Sequence, residues 1–525
     1  MHVTLLFVVD STPFASEAEL EEAAELLTRL AAALEANPGV PVAVHVGVGA
    51  LTGLGSIVPE ALSPLSGESV EWVRRGFTTP HFVMLPEPSR DLQLRREVEA
   101  LEALGIAPGG LMPAGAWEPG LVSSFSRHGI DHLLLPSALL GDGGPAVVEH
   151  LGAVITAVPV IEPPPEPRAW LEVEDRRHPD VLAVIAIPPE VDPGAAIATW
   201  RALPGCDLTT PTAYLADHSV RRRAFPPAEP WQQHLAASPA VELLYRKMLR
   251  VGRRLSDRTP AATVDQVLAA QTAAAYTDEP GAHLVRLEAH AELVAAATVL
   301  ESRGKGDWAR ARPVDWDADG STEIHIELPK LSLVVDPIDG AAITYLDDKS
   351  SRWPATVLPT EAGAPSVVLC RFLPDGHPES EPLPVIELEA MAVEERRAEV
   401  GLSMEGDSGR GRVRCELTVR DRTLAVRYHL EGLAPGRFGP EIPIALGAGI
   451  PRARVDGGPW ADIEAPIALA GHRFRVADDT RQVLIGSPTP AGLFVRPVPG
   501  HGVVLWAHWI SPGSGRYEAT VGLGP

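Results

Sequence analysis

The chain has 525 residues, 45% of them hydrophobic, which is enough apolar material for two or three domains. Its formal net charge is −24 and it holds no basic block, which argues against nucleic acid or an anionic membrane as a partner. Cys206, Cys370 and Cys415 are odd in number and far apart, so neither a disulfide scaffold nor a zinc module is expected, and no run of about 20 apolar residues marks a membrane span.

Val3–Val9 is strand-length and follows no basic region, so no signal peptide is expected and the chain reads as cytoplasmic. Ser16 with Glu19 predicts a capping box, and the helix behind it buries Leu20, Leu26, Leu27, Leu30 and Leu34 before Pro38-Gly39. Val42–Val46 reads as a strand, Val70–Arg75 as a short helix, Phe82–Leu85 as a strand or extended segment, and Arg90–Leu104 as a helix. The loop Gly110–Pro119 follows, then a helix from Pro119 to about Gly129. Ile130–Leu135, Val154–Val160 and Val181–Ile187 are apolar runs of buried-strand length. Such alternation predicts parallel α/β architecture, in which sites form at one edge of the sheet.

That loop, Gly110-Leu111-Met112-Pro113-Ala114-Gly115-Ala116-Trp117-Glu118-Pro119, resembles the nucleophile loop of glycoside hydrolase family 57, the 4-α-glucanotransferases and α-amylases. Trp117, Glu118 and Pro119 match the family pattern; Ala114 stands where the nucleophilic Glu would be. Other landmarks follow in order. Val9-Asp10-Ser11-Thr12-Pro13 lies where the family has His-x-His-Gln-Pro, and His45 matches a family histidine. Thr79 replaces a substrate-contacting Glu, and Leu85–Asp91 is close to the family's helix start. The general-acid loop falls near Ile187–Gly194 without an equivalent of its Asp pair.

Trp231–Arg254, Thr259–Ala275 and Leu284–Leu300 read as helices. Gln271-Thr272-Ala273-Ala274-Ala275-Tyr276 keeps the Gln and Tyr of a family turn and loses its Asn and Asp; the alanine run favours plain helix. From Ile324 onward, short alternating runs separated by Gly, Pro and Asp turns predict an all-β sandwich: Leu331–Val335, Ala342–Leu346, Val385–Leu388, Arg412–Val419, Leu424–Leu430 and Gly502–His508. The resemblance thus implies a multidomain α/β, α and β chain: an incomplete parallel (β/α) barrel over residues 1–218, a helical domain over 219–310 and a C-terminal β-sandwich over 320–525.

A retaining glycosidase needs two carboxyl groups about 5–5.5 Å apart. Ala114 cannot attack, and Pro188 and Pro189 offer no proton. Glu118 as a displaced nucleophile, and Glu190 or Asp192 as the acid, stand against plainer roles as a helix-terminal carboxylate and solvated loop charges. Asp10, His45, Trp117 and Glu118 are the candidate substrate-binding residues, with a buried structural histidine and packing under the loop as the plainer alternatives for His45 and Trp117. No metal or cofactor is implied. Three readings follow: a non-catalytic homologue that binds an α-glucan or maltooligosaccharide or regulates a partner enzyme, an active enzyme with relocated carboxylates, and a structural partner subunit without a sugar site. A homo-oligomer is compatible with each.

Overall fold

The structure, a computed structural model, describes residues 1–9, 12–47, 65, 67–141, 143–178, 180–279, 281–301, 306–316, 319–356, 367–375, 386–407, 411–446, 450–498 and 502–524. They divide into two compact units. The first comprises Met1–Ala237, Met248–Arg253 and Val264–Ala289; the second comprises Ser238–Lys247, Arg254–Thr263 and His290–Pro525.

The first unit is built on β1 (His2–Val9), β2 (Val42–Val46), β3 (Val70–Arg74), β4 (Pro108–Leu111), β5 (His132–Pro136), β6 (Ala146–His150), β7 (Ala153–Ile161) and β8 (Leu182–Ile187). Seven of them, β7-β5-β4-β3-β2-β1-β8, are parallel neighbours, and β8 pairs back to β7 through Val160↔Val184 and Ile161↔Ile185. The expected incomplete barrel is therefore a closed ring of seven strands, with β6 antiparallel to β7 outside it.

Side-chain alternation sorts the strand residues into two layers. Val3, Leu5, Phe7 and Val9 of β1, with Val42, Val44 and Val46 of β2, pack outward on Leu26, Leu27, Leu30 and Leu34 of the helix Glu17–Ala36 and on Ile197 and Trp200. Leu6, Ala43, Val73, Leu134, Val158, Leu182 and Val184 form a separate cluster, the barrel interior. Ser16 and Glu19 close the capping box ahead of Glu17–Ala36.

Local readings fail in three places. Residues 70–74 are strand β3, not helix, and residues 82–84 form a 3-10 turn, not a strand or extended segment. The helix after Pro260 ends at Ala269, and Ala273–Tyr276 is a separate 3-10 turn. In β3, Trp72 belongs to the outer cluster and Val73 to the inner one. The polar residues flanking them are paired, Glu71 with His132 at 2.9 Å and Arg74 with Glu97 at 3.0 Å. A strand buried on both faces shows no polar alternation.

Helices occupy Trp231–Ala237, Pro239–Gly252, Ala261–Ala269 and Ala282–Glu301, and the residues of the last three are divided between the two units. None of the described helices is long and apolar enough to cross a membrane. The second unit carries a large antiparallel sheet running from Arg310–Val314 to Gly515–Gly524 around a large apolar core. The run Val385–Leu388 is not a strand over its described residues 386–388.

Within the second unit, Lys247 Nζ donates to both carboxylate oxygens of Asp347 at 2.8 and 2.7 Å, and it lies 4.9 Å from the centre of the Tyr345 ring. Both charged side chains are about 5% exposed or less. Deleting one partner strands the other charge in the core. Asp347→Ala should therefore cost roughly 3–5 kcal/mol in urea melts, and Lys247→Met combined with Asp347→Leu should recover most of the loss.

Candidate site at the carboxyl end of the barrel

Four segments meet where the barrel strands end. His45 shares the inward parity of Ala43 on β2, and register places it between Val8 of β1 and Val73 of β3. It is 1% exposed. Burial holds its imidazole well below the usual histidine range, the charge of Arg75 adds to that, and the Met112 backbone acts against it. His45 is thus a neutral group in the top layer of the barrel.

After β3 the chain turns sharply at Gly76–His81. Arg74 pairs with Glu97, whose other oxygen accepts the backbone N–H groups of Arg75 and Gly76, both at 2.7 Å. Gln93 accepts the N–H of Thr78 at 3.0 Å and donates to Gln271 Oε1 at 3.0 Å. Held on both sides, the loop places Thr79 at φ +55°. That region costs a non-glycine residue about 1–2 kcal/mol, and a β-branched side chain is rare there. The Thr79 carbonyl accepts Ala273 N–H at 2.8 Å, and Pro80 bridges to Thr272.

The loop after β4 docks on this turn. Ala114 bridges to His81, and Ala116 N–H donates to His81 Nε2 at 3.3 Å. Gly115 is in the left-handed region at φ +73°, and a Cβ there would overlap the His81 ring. Trp117 N–H donates to Glu229 Oε2 at 2.6 Å, and Trp117 O accepts Glu229 N–H at 2.9 Å.

His45, Trp117 and Glu118 thus come to one end of the barrel, while Asp10 lies outside the described residues. Trp117 is 1% exposed, so its indole is core and offers no ring face to a ligand here. Glu118 pairs with Arg90 at 3.4 Å. Asp192 caps the helix Pro193–Arg201 by accepting Ala195 N–H at 2.8 Å, and Glu190 is an exposed turn residue.

The sequence pattern did not single out His81, Thr272, Glu229 or His234 for this site, because their proximity is set by chain segments far apart in sequence. Thr79 Oγ1, His81 Nδ1, Trp117 Nε1 and Thr272 Oγ1 are buried without a hydrogen-bond partner among the described residues. Such groups normally find one. None of these residues lines the cavity of about 160 Å³ bounded by Pro159, Ile161, Trp170, Glu174 and His178 elsewhere in the unit. Among the described residues, no group of His, Cys, Asp and Glu is arranged to hold a metal ion.

No family model matches this chain, and no curated protein does. Among solved structures, 4-alpha-glucanotransferase from Thermococcus litoralis superposes with a TM-score of 0.82, covering 100% of this chain and 99% of that one at 17% identity. The fold is that of this glucanotransferase. An alpha-mannosidase from Enterococcus faecalis aligns with 100% of this chain and 87% of its own at TM-score 0.43 and 9% identity. The alpha-amylase AmyC from Thermotoga maritima gives TM-score 0.43 and 9% identity over 58% of this chain and 94% of its own. Those two scores bear no weight in the assignment.

Two outcomes follow. Thr79→Gly should stabilise the protein by about 1 kcal/mol, since it removes the left-handed strain and an unsatisfied hydroxyl against the added chain entropy of glycine; thermal melts read this directly. Burial lowers His81 from 6.5 to about 4, with the charge of His234 adding to the shift. Between those values the unfolded chain binds the extra proton, so stability falls as pH drops through the window, by up to about 1.4 kcal/mol per pH unit from this residue. His81→Gln should flatten part of the pH dependence of urea melts between about pH 7 and pH 5.

Proposed function

We propose that this chain is a non-catalytic member of glycoside hydrolase family 57, which keeps the scaffold of an α-glucan-acting enzyme as a carbohydrate-binding or regulatory protein. One observation carries the reading. By the motif resemblance Ala114 aligns with the family's nucleophile, and carboxylates at or after the barrel loops are engaged in structural contacts: Glu118 with Arg90, Glu229 with the Trp117 backbone, and Asp192 with a helix N-terminus. In this arrangement Glu118 and Asp192 have structural roles, as an ion-pair partner and as a helix cap.

Ligand contact at this site falls to groups that solvent still reaches. Glu118 is 29% exposed, and His234 and Asp278 are 40% and 61% exposed. An α-glucan or maltooligosaccharide would be held by hydrogen bonds from such groups, with Trp117 and His45 forming the floor beneath them. The burial of Trp117 and His45 also favours a second reading, a structural partner subunit with no sugar site.

Incubation with maltooligosaccharides and amylose should give no hydrolysis or transfer products. Turnover that disappears in Glu118→Gln would establish a relocated nucleophile and overturn the proposal. Calorimetric titration with maltoheptaose separates the remaining readings: heat that is lost in Glu118→Gln supports binding here, and no heat leaves the structural subunit.

A further inference from the structure

The cavity of about 160 Å³ in the first unit lies on the outer side of the barrel and shares no residue with the site at its carboxyl end. Its floor is apolar, made by Pro159 and Ile161 of β7 with Leu182 and Ala183 of β8. One wall is the helix Pro167–Arg177, which supplies Trp170, Glu174 and, at its C-cap, His178. These three are spaced four apart, which sets them on one helix face. Another wall is the turn after β5, where Ser137 is followed by a glycine-rich stretch.

The walls are fixed rather than collapsible. Gly144 sits at φ +76°, and a Cβ there would overlap the Val181 side chain, so the turn packs backbone-close against the start of β8. Arg222 holds the same turn by donating to Leu140 O at 3.0 Å and Gly144 O at 2.5 Å. Across the cavity, Trp170 is set edge-to-face on Trp200, with ring centres 6.1 Å apart at 80°.

Polar groups with open hydrogen-bonding capacity stand around this apolar floor. Among the described residues, the Ser137 hydroxyl and the His178 imidazole have no hydrogen-bond partner. Glu174 accepts only from Arg177, at a long 3.5 Å. All three residues are half-buried. The other charge at the cavity is already matched, since the Met1 ammonium pairs with Asp175 at 2.9 Å. A carboxylate on the wall disfavours an anion, and the Arg177 and Arg222 guanidinium groups beside the cavity disfavour a cation. The fitting occupant is therefore neutral and rich in hydroxyl groups, with one apolar face.

Volume sets its size. A protein cavity of about 150 Å³ takes up benzene, so this one has room for a single six-membered ring. A pyranose meets each requirement: its hydroxyls can donate to a carboxylate and exchange bonds with imidazole and serine, and its C–H face packs on an indole. We propose that this cavity binds one neutral pyranose ring, with Glu174, His178 and Ser137 on its hydroxyls and Trp170 against its apolar face. The site is separate from the one proposed at the barrel end and does not depend on it.

The probes are glucose, glucosamine and glucose 6-phosphate, each titrated into the full chain. The readout is the indole N–H resonance of Trp170, assigned by its disappearance in Trp170→Phe, which reports this cavity and not the barrel end. Glucose should shift that resonance, and the cationic and anionic sugars should bind more weakly. Glu174→Gln should weaken glucose by about tenfold or more, the loss expected for a hydrogen bond to a charged group. His178→Ala should weaken it as well, and it serves alone if the glutamine variant does not fold; melting without ligand checks both. The proposal is overturned if glucose leaves the Trp170 resonance unmoved, if either charged sugar binds as tightly as glucose, or if the folded variants bind glucose as the parent chain does.

Discussion

Closure of the seven-strand ring is the constraint from which the first unit follows. A parallel sheet left open would expose backbone groups at both edges, and the β7–β8 pairing removes them. Closure then requires every barrel strand to be apolar on both faces, since one face meets the interior and the other meets helices. Within β3 the polar side chains are paired, Glu71 with His132 and Arg74 with Glu97. The place left for unpaired polar chemistry is the end of the barrel, where strands give way to loops.

At that end the loops are held by groups deep in the unit. Glu97, fully buried, accepts from Arg74 and from two successive backbone N–H groups, and Gln93 joins Thr78 to Gln271. This amount of fixation is what allows a threonine at φ +55°. The scaffold is built to hold a strained, pre-positioned turn. What it presents, however, is threonine, alanine and neutral histidine, with the local carboxylates turned to caps and ion pairs.

The second unit solves a different problem. Lys247 and Glu301 on helices, and Asp347 and Glu327 on strands, are buried charges, and each is compensated by a partner within hydrogen-bond distance. Buried ions of this kind add little net stability and are costly to disrupt. Their effect is to fix the positions of Arg254, Arg312 and Lys349.

The chain order of strands, helices and sheet was legible in the sequence because periodicity and turn residues are local: the capping box at Ser16 and Glu19, the apolar runs of β1, β5, β7 and β8, and the alternation at Arg412–Val419 all follow from neighbours along the chain. Motif order also pointed to the fold that the glucanotransferase superposition shows. Residues 70–74 could not be read locally, because β3 is buried on both faces and its polar residues find partners at Glu97 and His132, far away in sequence. The same holds for the site. Whether Trp117 is a stacking surface or core, and whether Glu118 is free or paired, depends on Arg90 and Glu229 arriving from other segments. Local sequence sets which backbone shapes are cheap; burial and pairing at this site are set by what the closed barrel brings together.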